Sequence, residues 1–286
     1  MGTDSAPRVP LHTESIDLTR WGLEAIGWSH QSDSKPVILI PGHFCPRNFW
    51  FPPARDGFGD WLASHNFAPI ALTDRESGYP ASAKRRTSDW VFHILPRVIS
   101  HVFETRGEAP HLVGYSAGGT YALACLHLLK NQLSVGDLVM VGSQVQFHQE
   151  GFTTRGALRL LGRLAATING RWLGLPKSIN SAVELSEYVD AKAGAGMLHN
   201  PITALRFREA IEVKANVLSI ASHADHIAPP HGVRILHDKI QAPTKKLIEL
   251  DSRSALGPIQ HFELLARKHQ NRVWPHLLAW LQRAAD

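Results

Sequence analysis

The stretch that decides the fold is HLVGYSAGGTYALACL, residues 111–126. Leu112 and Val113 open a short apolar run, glycines at 114, 118 and 119 surround Ser116, and the residues beyond have a helix-like pattern. The reading is a buried strand that turns at once into a helix, with a serine at the turn. Such a serine is either the N-cap of the helix or a nucleophile. The glycines favour the second. A serine on so tight a turn takes strained backbone angles, and the neighbours two before and two after must lack side chains if strand and helix are to approach. The helix N-terminus also offers N–H groups and the positive end of a dipole to a developing oxyanion.

Working outward, PVILIPG at 36–42, FAPIALTD at 67–74, DLVMVGS at 137–143, ANVLSIAS at 215–222 and KKLIELD at 245–251 read as strands. Helical stretches are expected around 56–65, over 88–104 with Ser88 or Asp89 as cap and a bend at Pro96, over HGVRILHDKI at 231–240, and near 261–284. Residues 14–20 and 22–29 predict a hairpin turning near Trp21-Gly22. Alternating short strands and helices give an α/β class with a mainly parallel sheet. Between 146 and 213 no strand pattern is visible, and GALRLLGRLAATI, INSAVELSEYVDA and ITALRFREAIE read as helices. The expected organisation is a core of residues 1–145 and 214–286, with a helical insertion at 146–213 between two strands of one sheet.

The chain of 286 residues, 44% of them hydrophobic, suffices for one large α/β domain with such an insertion. Its net charge of +5 and pI near 9.4 come from scattered basic residues. Lys84-Arg85-Arg86 and Lys245-Lys246 read as solvated turns, so no nucleic-acid partner is expected. Two cysteines, Cys45 and Cys125, do not make a disulfide framework. The opening MGTDSAPRVPLHTES has no apolar segment of a secretory signal, Ala6 stands where a myristoylation motif needs Ser or Thr, and no apolar run approaches a membrane span of roughly 20 residues. The expectation is a soluble cytoplasmic protein.

A nucleophilic serine needs a base to take its proton and a carboxylate to orient that base, and in a sheet of this kind they follow in the order Ser, acid, His on loops after later strands. Asp225, in SHADHIAPP, follows the strand VLSIAS; His261, in GPIQHFELL, follows KKLIELD and a loop, at the start of the last helix. Asp251 is the rival acid, but it falls too close to His261 to occupy a different strand's loop. His226 and His231 adjoin the acid, and His269 and His276 lie within the closing helix, so His261 is the preferred base. The oxyanion would accept from Ala117 N–H and from His43 N–H in Pro41-Gly42-His43-Phe44, with Phe44 in reserve.

Together these residues resemble the α/β-hydrolase superfamily over about residues 14 to 282. PVILIPGHF is similar to its oxyanion-loop strand, GYSAGG to its nucleophile elbow, HADHIAPP to its acid loop and QHFELL to its histidine loop. TDRESG at 73–78 is similar to the loop after its fourth strand, with Glu76 and Ser77 departing from the glycine-rich form. The resemblance implies an α/β-hydrolase fold, with 146–213 as a cap over the active site. A serine in place of Asp disfavours the dehalogenase and epoxide-hydrolase branches, and in place of Cys the polyester-synthase branch.

Histidines around Asp225 invite a metal reading, but no second cluster has zinc spacing, and no metal or cofactor is expected. Leu158, Leu161, Leu164 and Ile168 form one stripe and Arg155, Arg159 and Arg163 another, a cap helix rather than a membrane contact. Phe147, Phe152, Trp172 and Met197 are expected to line an apolar roof, with Phe44, Tyr115 and Ile227 below it. The expected function is a lipase-like serine esterase cleaving a small ester or thioester with an apolar acyl or aromatic group. Acyl transfer or lactone opening on the same triad, and ligand reception without turnover, are the alternatives.

Overall fold

Every residue of the run 35–40 after Lys35 is buried, and such a run satisfies its backbone only inside a sheet. The computed structural model describes residues 11–28, 33–43, 45–75, 85–145, 187, 200–251 and 257–283. Its strands are β1 (Leu11–Thr13), β2 (Leu23–Trp28), β3 (Lys35–Ile40), β4 (Phe67–Asp74), β5 (His111–Tyr115), β6 (Leu138–Val141), β7 (Ile211–Glu212), β8 (Val217–Ser222), β9 (Ile240–Gln241) and β10 (Lys245–Leu250). One eight-stranded sheet runs in the order β1-β2-β4-β3-β5-β6-β8-β10, while β7 and β9 pair separately. β2 is antiparallel to β1 and β4, and the pairings from β4 to β10 are parallel. The mainly parallel α/β class expected from the strand pattern is therefore the one observed.

Among the described residues the helices are α1 (Phe58–Ala63), α2 (Thr87–Asp89), α3 (Leu95–Arg106), α4 (Ala117–Leu129), α5 (Pro201–Phe207), α6 (Pro230–Lys239) and α7 (Gln270–Leu281). Successive side chains of a strand point to opposite faces, so both faces of the sheet are packed. Ile38, Ile40, Leu112, Leu138 and Met140 meet α3 and α4 on one side. Val37, Leu39, Val113, Tyr115, Val139 and Val141 meet Phe58 of α1 and Trp274 and Leu277 of α7 on the other. Strand β5 lies between β3 and β6, with Ile40 opposite Gly114 and Tyr115 opposite Val141. This places Ser116 at the carboxyl edge of a central strand, where open α/β sheets hold their ligands.

Several local expectations change. The hairpin exists, but its first strand is β1, not 14–20; Asp17 instead accepts hydrogen bonds from the backbone and hydroxyl of Thr19, which opens a short 3-10 turn at Thr19–Trp21. The stretch at 88–104 starts at Thr87 behind Arg86, and Asp89, rather than capping from outside, accepts from Arg86 N–H within the first turn. Ahead of Pro96 the chain widens into a π turn, Trp90–Ile94, in which Leu95 N–H reaches back to the Trp90 carbonyl. That wider turn accommodates a ring without an N–H. ITALRFREAIE is helical only to Phe207, and its end forms β7. Arg85 is not in a solvated turn: it is buried and donates to the Trp21 carbonyl and Asp74. Of the insertion expected at 146–213, residues 146–199 apart from Glu187 lie outside the described residues. Among the described residues no helix is long and apolar enough to cross a membrane.

Candidate active site

Ser116 has φ 53° and ψ −119°, a conformation that residues other than glycine rarely adopt. Holding it there costs on the order of 1–3 kcal/mol, so the surroundings must impose it. They do so by close approach. A Cβ on Gly114 would lie 2.3 Å from Gly119 Cα, and one on Gly118 would lie 2.3 Å from the Ile40 carbonyl oxygen. The strand, the helix and the loop after β3 therefore meet only because these positions carry no side chains. Although Ser116 occupies the N-cap position of α4, its side chain makes no capping hydrogen bond. The hydroxyl turns instead to His261, with Nε2 2.9 Å from Oγ.

His261 does not open the last helix as its pattern suggested. It starts a separate 3-10 turn, His261–Glu263, and α7 begins only at Gln270, after a second such turn at Arg267–His269. Its Nδ1 lies 2.7 Å from Asp225 Oδ2. The other carboxylate oxygen, Oδ1, accepts from the backbone N–H groups of Ile227 at 2.8 Å and Ala228 at 2.7 Å. The Asp225 side chain is fully buried and that of His261 nearly so. A buried carboxylate is tolerable when its oxygens are bonded in this way. Of the rivals, Asp251, His226, His231 and His276 are exposed, and His269 is buried beside Glu263. Among the described residues no group of three or more His, Cys, Asp or Glu side chains is arranged to hold a metal ion.

The loop after β3 runs past the nucleophile: a Cβ on Gly42 would lie 2.8 Å from Ser116 Cβ. His43 follows, its Nε2 3.2 Å from the Tyr121 hydroxyl. Burial pushes the nearby Cys45 thiol up to about 12, against the effect of a hydrogen bond from the backbone of Gly42. Ala117 is the first residue of α4, and its N–H has no carbonyl one turn back within the helix.

Tyr115 was expected to line the pocket, and the structure corrects this. Its ring is completely buried beneath the elbow, and its hydroxyl donates to the backbone carbonyl of His261 at 2.7 Å. Burial also pushes its phenol well above the usual tyrosine range, so it remains a donor. Ile227 is half-buried next to the acid. Phe44, Phe147, Phe152, Trp172 and Met197 lie outside the described residues. Sequence reasoning missed Ser143, whose hydroxyl donates to the Ser116 carbonyl at 2.8 Å, and Gln144, whose amide donates to the Ile227 carbonyl. Their side chains are buried and polar just beyond a strand, which was the available signal.

No protein-family model matches the chain, and no curated protein does. Solved structures do. A thermophilic esterase from Thermogutta terrifontis aligns with a TM-score of 0.61 and 15% identity, over 96% of this chain and 98% of that one. A monoacylglycerol lipase from Paleococcus ferrophilus aligns at 0.57 and 16%, over 91% and 98%. A bromoperoxidase from Bacillus anthracis gives 0.57 and 16%, over 91% and 96%. Mouse alpha/beta hydrolase domain-containing protein 10 gives 0.56 and 16%, over 96% and 100%. At these identities the likeness is one of fold, and the chain has the α/β-hydrolase fold.

Proposed function

We propose that the chain is a serine hydrolase that cleaves a carboxylic ester or thioester of an apolar acid through an acyl-enzyme. The observation that carries this reading is the continuous line from Asp225 Oδ2 to His261 Nδ1 at 2.7 Å and from His261 Nε2 to Ser116 Oγ at 2.9 Å. It ends on a serine held in a strained conformation at a strand-to-helix turn. Structural neighbours that include an esterase and a lipase are consistent with it.

In the first step Ser116 Oγ bonds to the carbonyl carbon as His261 Nε2 takes its proton, and the carbonyl electron pair moves to oxygen. Asp225 holds the imidazolium in orientation and offsets its charge. The N–H groups of Ala117 and His43 receive the oxyanion. The imidazolium then gives its proton to the leaving alkoxide or thiolate, and the acyl group stays on Ser116. Water, losing a proton to His261, attacks that acyl group; the acid departs and the proton returns to Ser116.

The test is a panel of esters and thioesters graded in acyl length, run with wild type and Ser116→Ala, together with an active-site fluorophosphonate whose adduct is located by mass spectrometry. Turnover lost in Ser116→Ala and label on Ser116 are expected. Equal activity in that variant, or label on another residue, would overturn the mechanism. No turnover, together with a hydrophobic ligand that raises Tm, would favour a receptor, and ester formed from added alcohol would favour acyl transfer.

A further inference from the structure

The end of β6 and the turn that follows it bond to the nucleophile and to the acid loop and leave no room for a side chain beside the histidine. Val141, the last residue of β6, accepts the N–H of Ser116 at 2.8 Å, while Ser143 Oγ donates to the carbonyl of Ser116 at 2.8 Å. Both backbone polar groups of the strained serine are therefore held from one short segment. Between them Gly142 has φ 62°, and its N–H bonds to Ile220 of β8 at 2.9 Å. A Cβ there would sit 3.2 Å from His261 Cε1, 3.4 Å from Asp225 Oδ2 and 2.8 Å from a methyl of Leu264. Gln144 extends the segment to the acid loop: its side-chain amide donates to the Ile227 carbonyl, and Ile227 N–H in turn bonds to Asp225 Oδ1. The Gln144 carbonyl also receives the hydroxyl of Thr120, one turn into the helix behind the nucleophile, at 3.4 Å.

Ser143 and Gln144 are both almost completely buried, at 0% and 2% exposure. Glycines facing them make the room: a Cβ on Gly119 would lie 2.2 Å from Ser143 Oγ, and one on Gly232 would lie 2.0 Å from Gln144 Oε1. Buried polar side chains are costly unless well bonded. Here Ser143 Oγ donates to a backbone carbonyl of the nucleophile and the Gln144 amide nitrogen to one of the acid loop.

We propose that Gly142-Ser143-Gln144 is the positioning segment of this site, with Ser143 setting the backbone of the nucleophile and Gln144 setting the loop that carries Asp225. Neither side chain touches the reacting atoms; both act through Ser116 and Asp225. The proposal rests on the serine-hydrolase reading above.

The experiment compares wild type, Ser143→Ala and Gln144→Met in two measurements: kcat and KM on the best ester of the panel, and the second-order rate of fluorophosphonate labelling at Ser116. Displacing a reacting group by a fraction of an ångström lowers the chemical step more than binding. Each variant is therefore expected to lose about 10- to 100-fold in kcat and in labelling rate while KM stays within about two-fold. A folded variant with wild-type kcat and labelling rate, or one whose loss lies in KM alone, overturns the assignment for that residue. If Ser143→Ala does not fold, Gln144→Met, which leaves the elbow's own bonds intact, decides the proposal. Absence of label on Ser116 in wild type would instead overturn the hydrolase reading, so the two failures are distinguishable.

Discussion

Replacing Asp225 by asparagine exchanges one oxygen for an NH2 group at a position where the three recorded partners are all donors. In the wild type Oδ1 receives two backbone N–H groups and Oδ2 faces His261 Nδ1. An asparagine has one oxygen to offer. With that oxygen on Ile227 and Ala228 N–H, the amide nitrogen stands against Nδ1 at about the wild-type 2.7 Å and donates to it. The imidazole proton then resides on Nε2, 2.9 Å from Ser116 Oγ, where a lone pair is needed. The flipped amide would set two donors against two donors and is worse. Geometry is thus preserved while the tautomer is wrong, and the expected loss in kcat is about 10³- to 10⁴-fold, or roughly 4–5.5 kcal/mol of barrier. Steady-state kinetics on an activated ester would measure it, with Asp251→Asn, an exposed carboxylate at the end of β10, as the control expected to stay near wild type. Retention of more than about a tenth of kcat by Asp225→Asn would refute the assigned role of the carboxylate.

Removing only the hydroxyl in Tyr115→Phe takes the 2.7 Å hydrogen bond from the His261 carbonyl and leaves it the longer one, 3.4 Å, from Leu264 N–H; the expected cost is about 0.5–1.5 kcal/mol and some 2–4 °C of Tm per kcal/mol, with a fall in kcat, and calorimetry and kinetics check both. Gly118→Ala is expected to destabilise by about 1–3 kcal/mol and to shift the loop that bears His43, because its Cβ would fall 2.3 Å and 2.6 Å from the carbonyl oxygens of Ile40 and Pro41; a wild-type Tm and activity would contradict this. Burial, and then the Lys245 charge, hold His237 below its usual 6.5, so the folded state resists a proton that the unfolded chain accepts. Its contribution is therefore present above 6.5 and shrinks as pH falls below that value. The Tm advantage of wild type over His237→Gln should accordingly narrow between about pH 8 and pH 5, as a melting series would show.

What could be read from the sequence was what depends on neighbours along the chain. Glycines at 114 and 118 signalled a turn that admits no side chains, and the 2.3 Å approaches found there are the same requirement expressed in space. Asp225 and His261 were reached because each lies beyond a later strand, and parallel strands of one sheet deliver their carboxyl ends to one edge whatever lies between them. The errors were also local in origin. His261 was assigned to the closing helix because the apolar spacing of 262–265 continues smoothly into it, although the chain makes two 3-10 turns before Gln270. Arg85 was read as solvated because its partners, the carbonyl of Trp21 and Asp74, are 64 and 11 residues away.

The contacts that hold the site are of a different kind. Tyr115 reaches a carbonyl 146 residues on, and Ser143 reaches one 27 residues back. A main-chain carbonyl is present in every residue, so such an acceptor leaves no mark on composition or spacing. The donor does leave one: a tyrosine, a serine and a glutamine occupy fully buried positions next to strand ends, where an apolar residue would pack as well and need no partner. Tyr115, expected at the pocket wall, lies on the other side of the sheet edge. Its position directly before Ser116 in a strand turns its side chain to the face opposite Gly114, toward Val113, Val141 and Trp274, and so beneath the histidine loop rather than into the cleft.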